Sequence, residues 1–148
     1  MLVETFTTPV LAGVQLSLKR SFDQGRLGQA QFDCLMSIPS SRFQPTVRAL
    51  LEESLMPNEL EAAERFFSTE SGRAYAKQGL AGVYTAVGSV PPEPVPQLSS
   101  SDQVAIAQFS ASTAGKRLIH DKALESPEAR QKLAAAIRSA AEPCRHAQ

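Results

Sequence analysis

Few side chains in this sequence are suited to chemistry. His120 and His146 are its only histidines, and Cys34 and Cys144 its only cysteines. No HExxH, GxSxG, CxxC or Walker-type run occurs, so metalloprotease, serine-hydrolase, dithiol-redox and nucleotide chemistries all lack their local signatures. His120 beside Asp121 has the composition of an acid–base pair, but adjacent helical residues do not face one another, and a solvated surface position accounts for it more simply. Cys144 and His146 offer two metal ligands on a terminal segment, too few to complete a tetrahedral site. Glu59, Glu61 and Glu64 gather carboxylates within a short span and read as a wet helix face with useful negative charge near a helix start. No catalytic residue, cofactor or metal is expected, and a non-enzymatic role is favoured.

The elements that would position these residues are organised by a repeat. Leu55 to Leu80, LMPNELEAAERFFSTESGRAYAKQGL, returns in degenerate form at Leu98 to Ala123, LSSSDQVAIAQFSASTAGKRLIHDKA. Leu55/Leu98, Ala62/Ala105, Phe66/Phe109 and Gly72/Gly115 are all offset by 43 positions, with Glu59/Asp102 and Arg73/Lys116 as similar pairs. Apolar positions at helical spacing on both sides of a Ser/Thr break predict a helix, a turn and a second helix in each copy. Ser99 with Asp102 forms a capping box at one start; Pro57 and Glu59 serve the other. Thr69 and Ser112 cap the helices after the breaks, and Gly72 and Gly115 in the following turn predict close backbone approach.

These residues resemble an exported bacterial helical family catalogued as domain of unknown function 2059. The likeness rests on Glu59, Phe66, Ser71, Gly72 and Arg73, and again on Asp102, Phe109, Gly115 and Lys116, over the second and third quarters of the chain. The break differs from the family's Ser-Pro-x-Gly form, reading Thr69-Glu70-Ser71-Gly72 and Ser112-Thr113-Ala114-Gly115. The resemblance implies an all-helical fold and passage out of the cytoplasm, and carries no catalytic residues. It also favours a disulfide between Cys34 and Cys144 over the alternative of a buried free Cys34 and a frayed Cys144. The start, MLVETFTTP, lacks the pattern of a signal peptide, so the expected location is periplasmic or secreted with the leader absent, the alternative being cytoplasmic.

The remainder predicts further helices. Thr8-Pro9 is read as opening the first, with Val10, Leu11, Val14, Leu18 and Phe22 as its stripe. Leu27 to Ile38 and Phe43 to Leu51 follow, and Ser126-Pro127-Glu128 starts the last. Residues 90–97, with four prolines, read as a stiff connector between the copies. Gly79, Gly82 and Gly88 read as a small-residue packing seam, the alternative being a ligand cavity marked by Tyr75, Leu80 and Tyr84. Fifteen basic residues balance fifteen acidic ones, with no basic footprint for nucleic acid, and no apolar run approaches a membrane span.

The expected fold is all-α, a compact bundle of about six to eight helices in a single domain over residues 1–148, containing two related helical pairs. The favoured role is a non-catalytic exported module, monomeric or homodimeric, that binds a protein partner, for example as an inhibitor or toxin-neutralising protein. A small-ligand or lipid carrier is the alternative, and an enzyme with a dispersed site the third.

Overall fold

Caps and breaks set the repeated stretch. In the computed structural model, which describes residues 1–147, the first copy forms α4 (Pro57–Phe67) and α5 (Glu70–Ala86). The second forms α6 (Ser100–Ala111) and α7 (Thr113–Gly115), which runs into a π-helical turn at Lys116–His120. The described residues contain eight α-helices and no strand. At α6, Ser99 Oγ accepts the Asp102 N–H at 3.1 Å and the Asp102 carboxylate accepts the Ser99 N–H at 3.0 Å. Met56 has no oxygen to offer at α4, so only the returning half survives, Glu59 accepting the Met56 N–H at 2.8 Å.

Both breaks have the same construction. Thr69 Oγ1 accepts the Gly72 N–H at 3.0 Å and donates to the Phe66 carbonyl; Ser112 Oγ accepts the Gly115 N–H at 3.1 Å and donates to the Phe109 carbonyl. A Cβ added to Gly72 would lie 2.0 Å from the Phe66 carbonyl oxygen, and one on Gly115 only 1.8 Å from that of Phe109. Each helix thus crosses the end of the one before it at a distance only glycine permits.

The copies face each other. Phe66 and Phe109 stack with centroids 4.2 Å apart and planes within 1° of parallel, and Phe67 meets both rings edge-on. The capping acid of each copy is held by the other: Ser71, opening α5, donates to Asp102 at 2.7 Å, while Arg117, following α7, donates to Glu59 at 2.9 Å. This reciprocity is that of an approximate two-fold arrangement, with the phenyl stack at its centre. Val47, Leu51, Leu55, Ala63, Ala114 and Leu118 complete the core around it.

The two copies are related helical pairs, as expected, and beyond the glycines they diverge. Tyr75, Ala76, Leu80 and Val83 continue an apolar stripe along α5, whereas the matching positions after Leu118 and Ile119 are Ala123 and Ser126. With little apolar surface left to bury, the second copy's helix widens into the π turn. It ends at Lys122, whose left-handed backbone (φ 50°) reverses the chain. A short 3₁₀ turn, Ala123–Glu125, leads to α8 (Pro127–Ala141), where Ser126 Oγ accepts the Ala129 N–H at 3.1 Å.

The flanking helices enclose this unit. α1 spans Leu2–Asp23, so Thr8-Pro9 does not open it; Pro9 lies inside the helix. The earlier start follows from burial of Leu2, whose N–H donates to Glu64 on α4 at 2.8 Å, in effect an N-cap supplied from another helix. α2 (Gln29–Met36) and α3 (Gln44–Ser54) follow. Cys34 on α2 and Cys144 after α8 form a disulfide, their α-carbons 5.6 Å apart and 110 residues apart in sequence. Closing a loop of that length removes denatured-state entropy worth roughly 4.7 kcal/mol in the simplest chain treatment.

Gly72→Ala and Gly115→Ala are each expected to lower unfolding free energy by about 1–3 kcal/mol, because the added methyl meets backbone that cannot step aside. Gly79, with nothing within 4 Å of an added Cβ, is the control, and Gly79→Ala should be neutral or stabilising by up to about 1 kcal/mol. Equal effects at all three sites in denaturant titrations would contradict the close crossing.

Candidate ligand-binding cleft

The apolar stripe of α5 is not fully covered. Tyr75, Ala76, Gly79, Leu80 and Val83 form one wall of a cleft of about 540 Å³, which Phe6, Pro9 and Val10 of α1 extend. Leu118 and Ile119 of the π turn, Leu124, Leu133 of α8, and the core residues Val47, Leu50 and Phe67 complete its apolar lining. At the repeat offset, Tyr75 and Ala76 correspond to Leu118 and Ile119, and Gly79 to Lys122. The cleft therefore runs between equivalent positions of the two copies. It exists because the second copy stops short where the first continues.

Of the three residues expected to mark a cavity, Tyr75 and Leu80 lie together in the cleft; Tyr84 lines a separate groove with Ala12, Leu16, Met36 and Val90. Burial pushes the Tyr75 phenol up from its ordinary value. Gly79, Gly82 and Gly88 do not form a packing seam, since an added Cβ at any of them meets nothing within 4 Å. At Gly79 the missing side chain is open cleft.

The charged groups of the lining, Lys122, Glu125 and Arg130, are all exposed and mark its mouth, while the Thr5 hydroxyl and the Tyr75 phenol are half-buried. Lys122 Nζ lies 4.0 Å from Glu125 Oε2. Arg130 belongs to no ion pair among the described residues. Of the phenyl rings and crossing glycines of the repeat, Phe67 lines the cleft, whereas Phe66, Phe109, Gly72 and Gly115 do not. Arg73 Nη2 donates to the Ser68 carbonyl at 2.7 Å beyond the end of α4, and Lys116 is exposed.

Glu59 and Asp102 fix the π turn and α5 against the partner copy. Glu59 is buried, and the Met56 N–H above all, then Arg117 and Thr113, hold its carboxyl below the ordinary value. The Ser71 hydroxyl, followed by the Ser99 N–H and hydroxyl, does the same for Asp102. The other chemical candidates do not assemble. His120 is exposed, and Cys144 is committed to the disulfide, so Cys144 and His146 are not a metal pair. The described residues contain no cluster of three metal-ligating side chains.

The α1 and α8 contributions, Phe6, Val10, Arg130 and Leu133, were not identifiable from local sequence, because they converge only through tertiary packing. No family model matches the chain, and no curated protein or solved structure matches it either.

A pH dependence follows from the two acids. Because folding lowers both carboxyl pKa values, their contribution is fully present above the ordinary values of 4.5 for Glu59 and 3.8 for Asp102, and is lost as pH falls through the lower folded values. Thermal melts should be less stable for Glu59→Gln than for the parent at neutral pH, with the difference shrinking on acidification. Parallel curves throughout the acid range would show that the bonds to Met56 and Arg117 contribute nothing.

Proposed function

We propose that this chain is a non-catalytic helical binding module that carries a small apolar molecule in the cleft between its two copies. The observation that carries the reading is the cleft itself. Its volume of about 540 Å³ falls in the range of about 300–1,000 Å³ usual for ligand sites, and apolar walls with a few polar groups at the mouth are the usual lining. Folding has left Leu80, Val83 and the open side of Gly79 beside this space instead of closing α8 over them. A core selected for stability alone would fill such a volume.

For the compartment, we propose export to an oxidising environment, in keeping with the family resemblance of the repeat. The Cys34–Cys144 disulfide supports this reading, since such bonds persist outside the reducing cytosol. No helix among the described residues is long and apolar enough to cross a membrane.

A protein partner is the second reading, favoured by exposed apolar residues on the connector, Val90 at 87% and Val95 at 50% relative exposure. A partner held there would leave the cleft free.

Fluorescence titration with N-phenyl-1-naphthylamine, an uncharged apolar dye, tests the carrier reading. The parent should bind saturably, and Gly79→Phe, which places a ring in open cleft, should weaken binding by about tenfold or more while leaving helicity and melting unchanged. Absence of saturable binding, or equal binding by a folded Gly79→Phe, would overturn it.

A further inference from the structure

The mouth of the cleft carries an imbalance of charge that packing does not explain. Arg130 sits one turn into α8, behind the Ser126 cap and Pro127, where the positive end of the helix dipole disfavours a cation. A neutral or acidic side chain would suit that position better. The one charge pair at the mouth, Lys122 with Glu125, is loose at 4.0 Å. Glu128, also in the first turn of α8, is exposed and is not part of the cleft lining. The mouth groups Lys122, Glu125 and Arg130 thus sum to a single surplus positive charge at the rim of an otherwise apolar space.

Resting on the carrier reading above, we infer that the ligand is a single-chain anionic amphiphile, its hydrocarbon tail along the α1 and α5 walls and its carboxylate or phosphate head at Arg130 and Lys122. Guanidinium groups present paired N–H donors that match the oxygens of either head group, and such charge-assisted bonds are stronger than neutral ones. The helix N-terminus behind Arg130 adds field of the same sign, so the arrangement that is unfavourable for the empty protein becomes favourable once an anion arrives. The tail meets Phe6, Val10, Leu80 and Val83 without any charged group to desolvate. Lys122, the counterpart of Gly79 in the first copy, places its charge where the cleft changes from apolar wall to polar mouth.

Competition against bound N-phenyl-1-naphthylamine distinguishes the head groups at constant chain length, using dodecanoate, dodecyl phosphate, dodecanol and dodecylammonium below their micellar concentrations. One or both anions should displace the dye at least about tenfold more effectively than dodecanol, and dodecylammonium should be the weakest. Preference between the two anions identifies the source as fatty acid or phosphate-bearing lipid. Arg130→Gln should abolish the advantage of the anions, leave dodecanol binding unchanged, and keep or raise the melting temperature. Lys122→Asn, which tolerates the left-handed backbone, should reduce the advantage in part. If dodecanol matches the anions, or the preference survives in folded Arg130→Gln, the head-group assignment is wrong while an apolar carrier stands. If the dye binds but no dodecyl compound displaces it, a chain-shaped ligand is excluded. Failure of the dye itself to bind marks failure of the carrier reading.

Discussion

The stacking of Phe66 on Phe109 can form only if each copy's two helices cross almost in contact. The rings lie at the ends of α4 and α6, immediately before the breaks, and the same carbonyls that Thr69 and Ser112 engage are the ones that press on Gly72 and Gly115. A side chain at either glycine would push the following helix outward. That shift would disturb Ser71 against Asp102 and Arg117 against Glu59, the polar bonds that hold the copies in register. Apolar stack, glycine crossing and exchanged acids are therefore one device, and neither copy can bury its phenyl ring alone.

The cleft is a consequence of how this arrangement is broken. Two copies with equally long second helices would present like faces to each other. Here α5 keeps its apolar stripe while its counterpart ends in a π turn and the reversed backbone of Lys122. Wide turns and left-handed non-glycine residues are uncommon in ordinary helices and tend to occur where local geometry serves a site. The truncation leaves Tyr75, Leu80 and Val83 partly uncovered, brings α8 into the lining, and sets the cationic mouth at the point of truncation. Away from the cleft lining, α2 is fastened to the turn after α8 by the disulfide, and Gln31 also reaches the Arg145 carbonyl at 3.3 Å.

Much of the fold could be read from local pattern. The caps at Ser99, Thr69, Ser112 and Ser126 and the glycine crossings are short-range features whose chemistry needs no tertiary knowledge. What escaped was set at long range. Thr8-Pro9 carries a helix-start signature, yet the start was decided by Leu2 burial and by Glu64, distant in sequence. Gly79 and Gly82 have the composition of a packing seam, and only the courses of α1 and α8 show that nothing approaches them. The end of the second copy was visible in principle: Lys122 and Ser126 replace positions that are glycine and valine in the first. The mouth charges, from separate elements, have no joint signature in sequence.

The dependence of each copy on the other is measured most directly by a double-mutant cycle on Phe66→Leu and Phe109→Leu in denaturant unfolding. Parallel stacked rings at 4.2 Å should yield a coupling energy of about 0.5–1.5 kcal/mol beyond the two single losses, with either single variant already disturbing the partner copy. Losses that add to within about 0.3 kcal/mol would mean that the rings are buried independently, and the reciprocal arrangement of the two copies would not be what holds this fold together.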